Sequence, residues 1–116
     1  MKIVKNQGKI EIAELKEMSK KMYDNLVKAV VDIEKDILIL DAGLHSDLEE
    51  FLIETENCQP QNLWGINLWP EKSPEEFVEF DSMINLKPAW GNRTRGIDDE
   101  KIREKIILIV NKSIAK

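Results

Sequence analysis

The sequence predicts an α+β protein with a mainly antiparallel sheet of four or five strands. Three observations predict it. Strand-like segments come in two pairs, helical apolar spacing occurs near both ends of the chain, and a short helical segment separates the two pairs. Hairpins flanked by helices favour a sheet that is covered on one face. Because 116 residues is the length of one ordinary domain, we expect a single domain over residues 1–116.

The N-terminal segment contains the first predicted helix, from Ile12 to about Tyr23. Its apolar residues recur with the spacing of one helical face and are Ile12, Leu15, Met18 and Met22. Residues Met1–Lys5 precede it and are interpreted as an edge strand or an arm.

The first pair of strands follows this helix. Apolar and polar residues alternate over Val27–Glu34, which predicts a strand with one buried face. A turn is expected at Glu34–Asp36. Every position of Ile37–Leu40 is apolar, which is typical of a strand covered on both sides.

The central helix is predicted from a capping box. Ser46 and Glu49 have the Ser-x-x-Glu spacing in which each side chain bonds the other residue's backbone N–H. The helix is expected from Asp47 to about Glu54. The residues predicted for its inner face are Leu44, Leu48, Phe51 and Leu52.

The second pair of strands is bounded by prolines. Residues 64–69 alternate and end at Pro70, with Trp64 assigned to the core, and residues 78–86 alternate and end at Pro88. Ser73-Pro74 suits a turn or a single helical turn in the connection between them.

The last helix is predicted to begin after a loop over residues 89–96. Asp98 is the expected N-cap, with a hydrophobic staple between Ile97 and Ile102. The residues expected on its inner face are Ile102, Ile106, Ile109 and Val110.

Charge and cysteine content narrow the function classes. A net charge of -5 disfavours binding to nucleic acid or to an anionic membrane, since both attract Lys and Arg. Cys58 is the only cysteine, so the chain cannot form an internal disulfide or a zinc–cysteine cluster. No secretory signal or transmembrane segment is apparent, and we expect a cytoplasmic protein without a metal or a cofactor.

Positive charge is concentrated in the loop Gly91–Gly96. Two of the three arginines, Arg93 and Arg95, lie there beside Asn92, whereas Asp36–Glu71 holds eight acids and no Lys or Arg. Guanidinium groups suit carboxylates and phosphates, and the loop leads into a helix N-terminus. The loop is therefore a candidate anion site. The alternative is that both arginines pair with the chain's own acids.

Two further sets of residues are candidates. His45, the only histidine, and Asp81 could act as a general acid or base, although either could instead make structural hydrogen bonds or ion pairs. Trp69, Met83 and Trp90 are expected on the outer face of the sheet or in the basic loop. They are candidates for an interaction surface, or for covering the sheet in a homo-oligomer.

Several segments resemble a family of small prokaryotic proteins known as a domain of unknown function. The segments are LVKAVVDIE (26–34), LWGINLWP (63–70), FDSMINLKP (80–88) and GNRTRG (91–96). The family resemblance departs at Ser46, where alanine is more usual, and at Trp69, where tyrosine is. It implies no activity, but it includes Asp81, Asn92, Arg93 and Arg95 among its signature positions.

Three functions follow from the sequence. The first is a binding or self-assembly module that uses Trp69, Met83 and Trp90. The second is a small phosphate- or anion-handling enzyme that uses the Gly91–Gly96 loop with Asp81 or His45. The third is an RNA-interacting module, which the acidic net charge disfavours.

Overall fold

The sheet and helices are seen in a computed structural model that describes residues 1–22 and 24–116. In chain order the elements are β1 (Lys2–Val4), β2 (Ile10–Glu11), α1 (Ile12–Lys20), β3 (Val27–Asp32), β4 (Ile37–Leu40), α2 (His45–Glu56), β5 (Leu63–Leu68), β6 (Val78–Glu79), α3 (Glu100–Ser113) and β7 (Ile114–Ala115). Five strands form an antiparallel sheet in the order β1-β4-β3-β5-β6. The predicted α+β class and the antiparallel sheet are confirmed.

The hairpin β3–β4 forms at the predicted place. Its turn is fixed by the buried Asp32, whose Oδ1 accepts hydrogen bonds from the backbone N–H groups of Glu34 (2.8 Å) and Lys35 (2.9 Å). Strand β1 pairs with β4 and is an edge strand, which was one of the two interpretations of Met1–Lys5.

Both faces of the sheet are covered, so the expectation of a single covered face is wrong. Helices α1 and α3 pack on one face through residues such as Leu15 and Ile106. Leu48 and Leu52 of α2 pack on the other face, against Val30 and its neighbours. Strand β3 is consequently buried on both sides rather than on one. On this second face Val30 is fully buried beneath α2, whereas Lys28 is only half-buried.

Helix α2 begins earlier than the capping-box interpretation predicted. Its first residue is His45, and its N-cap, Leu44, makes no side-chain capping bond; the Asp47 N–H donates to the Leu44 carbonyl at 3.2 Å. The predicted role of Ser46 is therefore wrong. Of the expected inner face, Leu48 and Leu52 are buried, whereas the other two residues are exposed.

Helix α1 ends at Lys20, and the predicted end at Tyr23 lies outside the described residues. Helix α3 begins one residue later than predicted. Its N-cap is Asp99, whose carboxylate accepts from the Lys101 N–H at 2.8 Å. The expected N-cap, Asp98, instead accepts from the Thr94 hydroxyl at 3.1 Å. With this shift, Ile97 and Ile102 no longer hold staple positions, although both join the main core.

The predicted strand over residues 78–86 is wrong beyond its first two residues. After β6 the chain forms short 3₁₀ turns at Met83–Asn85 and Pro88–Trp90. The Ser82 hydroxyl accepts from the Ile84 N–H at 3.3 Å, which starts the first turn. Gly65 of β5 makes room for it, since a Cβ on Gly65 would lie 2.5 Å from the Ser82 Cβ.

A small parallel pair of strands, β2 and β7, was not predicted; it joins the two ends of the described chain. Two residues per strand are too few to show a periodic pattern. None of the helices within residues 1–22 and 24–116 has the length and apolar character needed to cross a membrane.

Candidate functional site

Asn92 organises the loop that was predicted to bind an anion. It is buried, and its Nδ2 lies near the carbonyl oxygens of Asn85 (2.7 Å), Gly96 (2.8 Å) and Thr94 (3.2 Å). Its Oδ1 accepts from the Asp98 N–H at 2.8 Å. Both polar ends of this amide bond to the protein's own backbone, so Asn92 holds the loop in its conformation, and its role as an anion ligand stays a prediction.

Asn85 attaches the same segment to the sheet. Its Oδ1 accepts from the Gly65 N–H at 2.8 Å, and its Nδ2 donates to the Gly65 carbonyl at 3.0 Å and to the Arg95 carbonyl at 2.9 Å. The side-chain amide thus takes the place that a neighbouring strand's peptide group would occupy. Sequence reasoning missed this role, since no local pattern shows which asparagine will face a strand edge.

The hydrogen bonds of Asn85 and Asn92 hold a loop in which the two arginines have different surroundings. The Arg95 carbonyl also accepts from the Ser82 N–H at 3.0 Å, so its backbone is held beside the segment that follows β6. Its side-chain Nε then donates to Asp81 Oδ1 at 2.7 Å. Arg93 is exposed and does not line the hollow beside Arg95. The structure brings Asp81 and Arg95 together and leaves Arg93 apart from them.

A cleft of about 450 Å³ lies beside the Asp81–Arg95 pair. We call it the His45 cleft. Its walls are the start of α2, the second face of β3 and β5, and the chain from Glu79 to Ile84. Its charged and polar lining side chains include Asp24, Lys28, His45, Asn67, Glu79, Asp81 and Arg95. The cleft therefore collects both predicted catalytic residues and one of the two arginines.

His45 is the most distinctive group in the cleft. Its Nε2 lies 2.8 Å from the Ile66 carbonyl oxygen, so this nitrogen carries the proton and Nδ1 is the basic nitrogen of the neutral ring. Burial lowers the pKa of His45, and the charges of Lys28 and Arg95 lower it further, against the opposing effects of the Ile66 bond and Asp81. A neutral imidazole can accept a proton or a hydrogen bond at Nδ1.

Two polar residues of the cleft floor were missed by sequence reasoning. Lys28 and Asn67 are directly opposite each other on the central strands β3 and β5. Asn67 donates to Glu79 Oε1 at 2.8 Å, and its Oδ1 is buried without a hydrogen-bond partner among the residues described. Apart from Asp32 at the turn, the central strands are otherwise apolar, so this lysine and this asparagine were the available signal.

The predicted interaction residues differ in their position relative to the cleft. Met83 is 61% exposed and lines the cleft, whereas Trp90 is 59% exposed and lies outside its lining. Trp69 is half-buried: its Nε1 lies 3.3 Å from Glu79 Oε1, and the Lys72 ammonium lies 3.9 Å from its ring centre. Trp69 therefore helps to form the cleft wall.

A reactive cysteine and a metal centre were two other possible sites, and the described residues support neither. Cys58 is buried, and burial together with the nearby Asp32 carboxylate raises the pKa of its thiol to about 12. A thiol with that pKa is almost wholly protonated at neutral pH and is a poor nucleophile. Within residues 1–22 and 24–116, no group of three or more His, Cys, Asp or Glu side chains is arranged to hold a metal ion.

One family matches the chain over residues 2–113, and it is described as a protein of unknown function (DUF5674). The chain belongs to this family. The resemblance to a domain of unknown function is thus confirmed over nearly the whole sequence. No curated protein and no solved structure matches the chain.

Proposed function

We propose that the protein binds a small anionic molecule in the His45 cleft. The observation that carries the proposal is that two cationic side chains, Lys28 and Arg95, line a cleft that also holds a neutral imidazole. Three carboxylates, those of Asp24, Glu79 and Asp81, line it as well; Asp81 pairs with Arg95, and Glu79 accepts from Asn67. Ligand sites in proteins are commonly concave, with a few convergent polar groups and a titratable residue of altered pKa.

The cationic groups retain donors for a ligand. Arg95 uses Nε for Asp81, which leaves the terminal nitrogens of a planar fork that suits a carboxylate or a phosphate. Lys28 forms no ion pair among the residues described. The Glu79 carboxylate is partly engaged by Asn67 and Trp69. An anion between Lys28 and Arg95 would therefore meet donors on two sides.

His45 gives the bound anion a proton acceptor. In the neutral ring Nδ1 has a free lone pair, because Nε2–H is directed at Ile66. A ligand that carries both an anionic group and an O–H or N–H group would satisfy the cations and His45 together. If the protein is an enzyme, His45 is the group that would accept the proton, and Asp81 would hold Arg95 in place.

The matched pair Arg93→Gln and Arg95→Gln tests the proposal. Both arginines are exposed residues of one loop and each substitution removes one charge, but only Arg95 lines the cleft. Inorganic phosphate, small carboxylates and mononucleotides are titrated into isotope-labelled protein and followed by NMR. We expect shifts at Lys28 and His45, and an affinity about tenfold weaker for Arg95→Gln than for wild type.

The Arg93→Gln variant should bind within about twofold of wild type, because Arg93 is not part of the cleft. Equal weakening in both variants would mean that the effect is general electrostatic attraction. Equal weakening, or no shift at His45 with any of these probes, would contradict the proposal.

A protein-binding role is a second candidate. Three large apolar side chains in one short segment are exposed: Met83 (61%), Leu86 (39%) and Trp90 (59%). Clustered exposed apolar residues often mark protein-interaction surfaces. Self-association through them should give a dimer in light scattering that Trp90→Ser converts to monomer; a wild-type monomer at high concentration would contradict it. Retention on RNA that salt abolishes would instead favour the RNA alternative.

The cellular setting also belongs to the proposal. We propose a reducing, cytoplasmic, prokaryotic setting; the lone cysteine supports the reducing compartment, and the burial of the Cys58 thiol is compatible with it.

A further inference from the structure

A second pocket lies away from the His45 cleft and is surrounded by lysines. Its volume is about 410 Å³, and its lining includes Lys5, Lys9, Lys35 and Lys112 together with Asn6 and Gln7. These residues come from the β1–β2 turn, the β3–β4 turn and the end of α3. The fold therefore brings together lysines that lie far apart in the sequence. We call this site the lysine pocket.

The charge of the lysine pocket opposes that of the whole chain. Four lysines line it against one carboxylate, Asp36, in a protein of net charge -5. Asp36 pairs with Lys112 at 3.1 Å, and Lys5 pairs with Glu56 at 2.7 Å. The other two lysines form no ion pair among the residues that the structure describes. Their charges are uncompensated in a concave site, which attracts anions.

The backbone around the lysine pocket is strained. Asn6, Gln7 and Asp36 have φ values of 54°, 68° and 57°, and they are half of the non-glycine residues with positive φ among those described. Left-handed conformations are unfavourable for residues with a Cβ, above all for residues other than Asn and Asp. The Gly8 N–H closes the Asn6–Gln7 turn on the Lys5 carbonyl at 2.9 Å. Such strain is concentrated at functional sites in proteins.

We infer that the lysine pocket binds a small anion with at least two phosphate groups. Lysine ammoniums act as mobile point charges, which suit the several oxygens of a diphosphate better than one planar carboxylate. The uncompensated pair, Lys9 and Lys35, would approach separate phosphates, and the amides of Asn6 and Gln7 could donate further hydrogen bonds. This site is independent of the His45 cleft and does not rest on the function proposed for it.

Pyrophosphate is the probe for this inference. It is titrated at low ionic strength into isotope-labelled wild type, into Lys9→Ala/Lys35→Ala, and into the control Lys101→Ala/Lys105→Ala. Both double variants remove two exposed lysines, but the control pair lies on α3 outside the pocket lining. We expect wild-type shifts at residues 5–9, 35–36 and 112–113, and a Kd about tenfold or more weaker for the pocket variant only.

Three outcomes would overturn the inference. The first is no saturable pyrophosphate binding by wild type. The second is equal weakening in the two double variants, which would reduce the effect to net charge. The third is a set of shifts confined to the His45 cleft, which would place the anion there and leave the first proposal standing. Circular dichroism of each variant checks that it is folded.

Discussion

The segment after β6 contains both buried amide side chains and exposed guanidinium side chains. Their hydrogen bonds contribute differently to the stability of the fold. Asn85 and Asn92 are buried, and all their side-chain bonds go to backbone groups of β5 and of the loop itself. Arg95 makes one exposed bond, to Asp81. Away from water an unmade hydrogen bond carries its full desolvation cost, whereas an exposed group can bond water. Neutral amides therefore fix this segment, and the charges remain available for a ligand.

Replacing Asn92 should have the largest effect on stability. Asn92→Ala leaves the Asp98 N–H and several loop carbonyls unpartnered, and we expect the free energy of unfolding to fall by about 3 kcal/mol or more. Urea unfolding followed by circular dichroism measures it. The control is Asn111→Ala, an exposed asparagine of α3, which should be neutral or slightly stabilising. A loss below about 1 kcal/mol for Asn92→Ala would contradict the claim that the buried amides fix this segment.

The strand edge that receives the Asn85 amide should be nearly as sensitive. In Gly65→Ala the new Cβ would lie 2.5 Å from the Ser82 Cβ, so the turn at Met83–Asn85 must move. Overpacking of this kind costs about 1–3 kcal/mol. Combining it with Ser82→Gly removes the two shortest contacts and leaves only Ile84 Cγ1 at 3.1 Å, so the double variant should lose less stability than the sum of the single variants. Additive losses would show that the contact is not the cause.

His45 is half-buried and should give an intermediate effect that depends on pH. Its pKa in the folded state is lowered from 6.5, so the unfolded chain takes up the proton first as pH falls. The contribution of His45 to the free energy of unfolding should be constant above about pH 7. It should decrease as the pH falls through 6.5 and stop changing below the pKa of the folded state. As the only histidine, it gives one imidazole signal in an NMR titration. A midpoint above 6.5 would contradict this.

The exposed arginines should contribute least to stability. Arg95 and Asp81 are 55% and 44% exposed in their side chains, so Arg95→Ala should change the free energy of unfolding by less than about 1 kcal/mol. Arg93→Ala should be neutral within the error of the same urea experiment. If Arg95→Ala destabilised the protein as much as Asn92→Ala, the guanidinium would be part of the scaffold, and its proposed role toward an anion would lose its basis.

The elements that the sequence predicted well are those whose apolar pattern alone decides the structure. The strand Ile37–Leu40, the hairpin turn before it and the inner face of α3 were predicted from periodicity and turn residues. The segment over residues 78–86 also alternates, but it does not form one strand. Its conformation depends on Gly65, which is distant in the chain and accommodates Ser82. A local pattern cannot contain that contact.

The residues of the candidate site could be predicted only in part, because a local pattern does not show which residues meet in space. Histidine and aspartate are chemically distinctive, so His45 and Asp81 could be selected singly, and the structure places both in one cleft. The loop-holding bonds of Asn92 were not predicted, because its residue type does not show whether the amide faces a ligand or the backbone. The lysine pocket was missed, since positions 5, 9, 35 and 112 converge only after β1, β4 and α3 have packed.

The bond between Asn85 and Gly65 has a consequence for how copies of this chain could associate. Open sheet edges are the usual route by which folded proteins polymerise into fibrils. Here β6 is two residues long and β1 is three, and the Asn85 amide occupies the outward N–H and C=O of Gly65 just past β6. Both edges therefore offer only short runs of backbone, which disfavours association through a continued sheet.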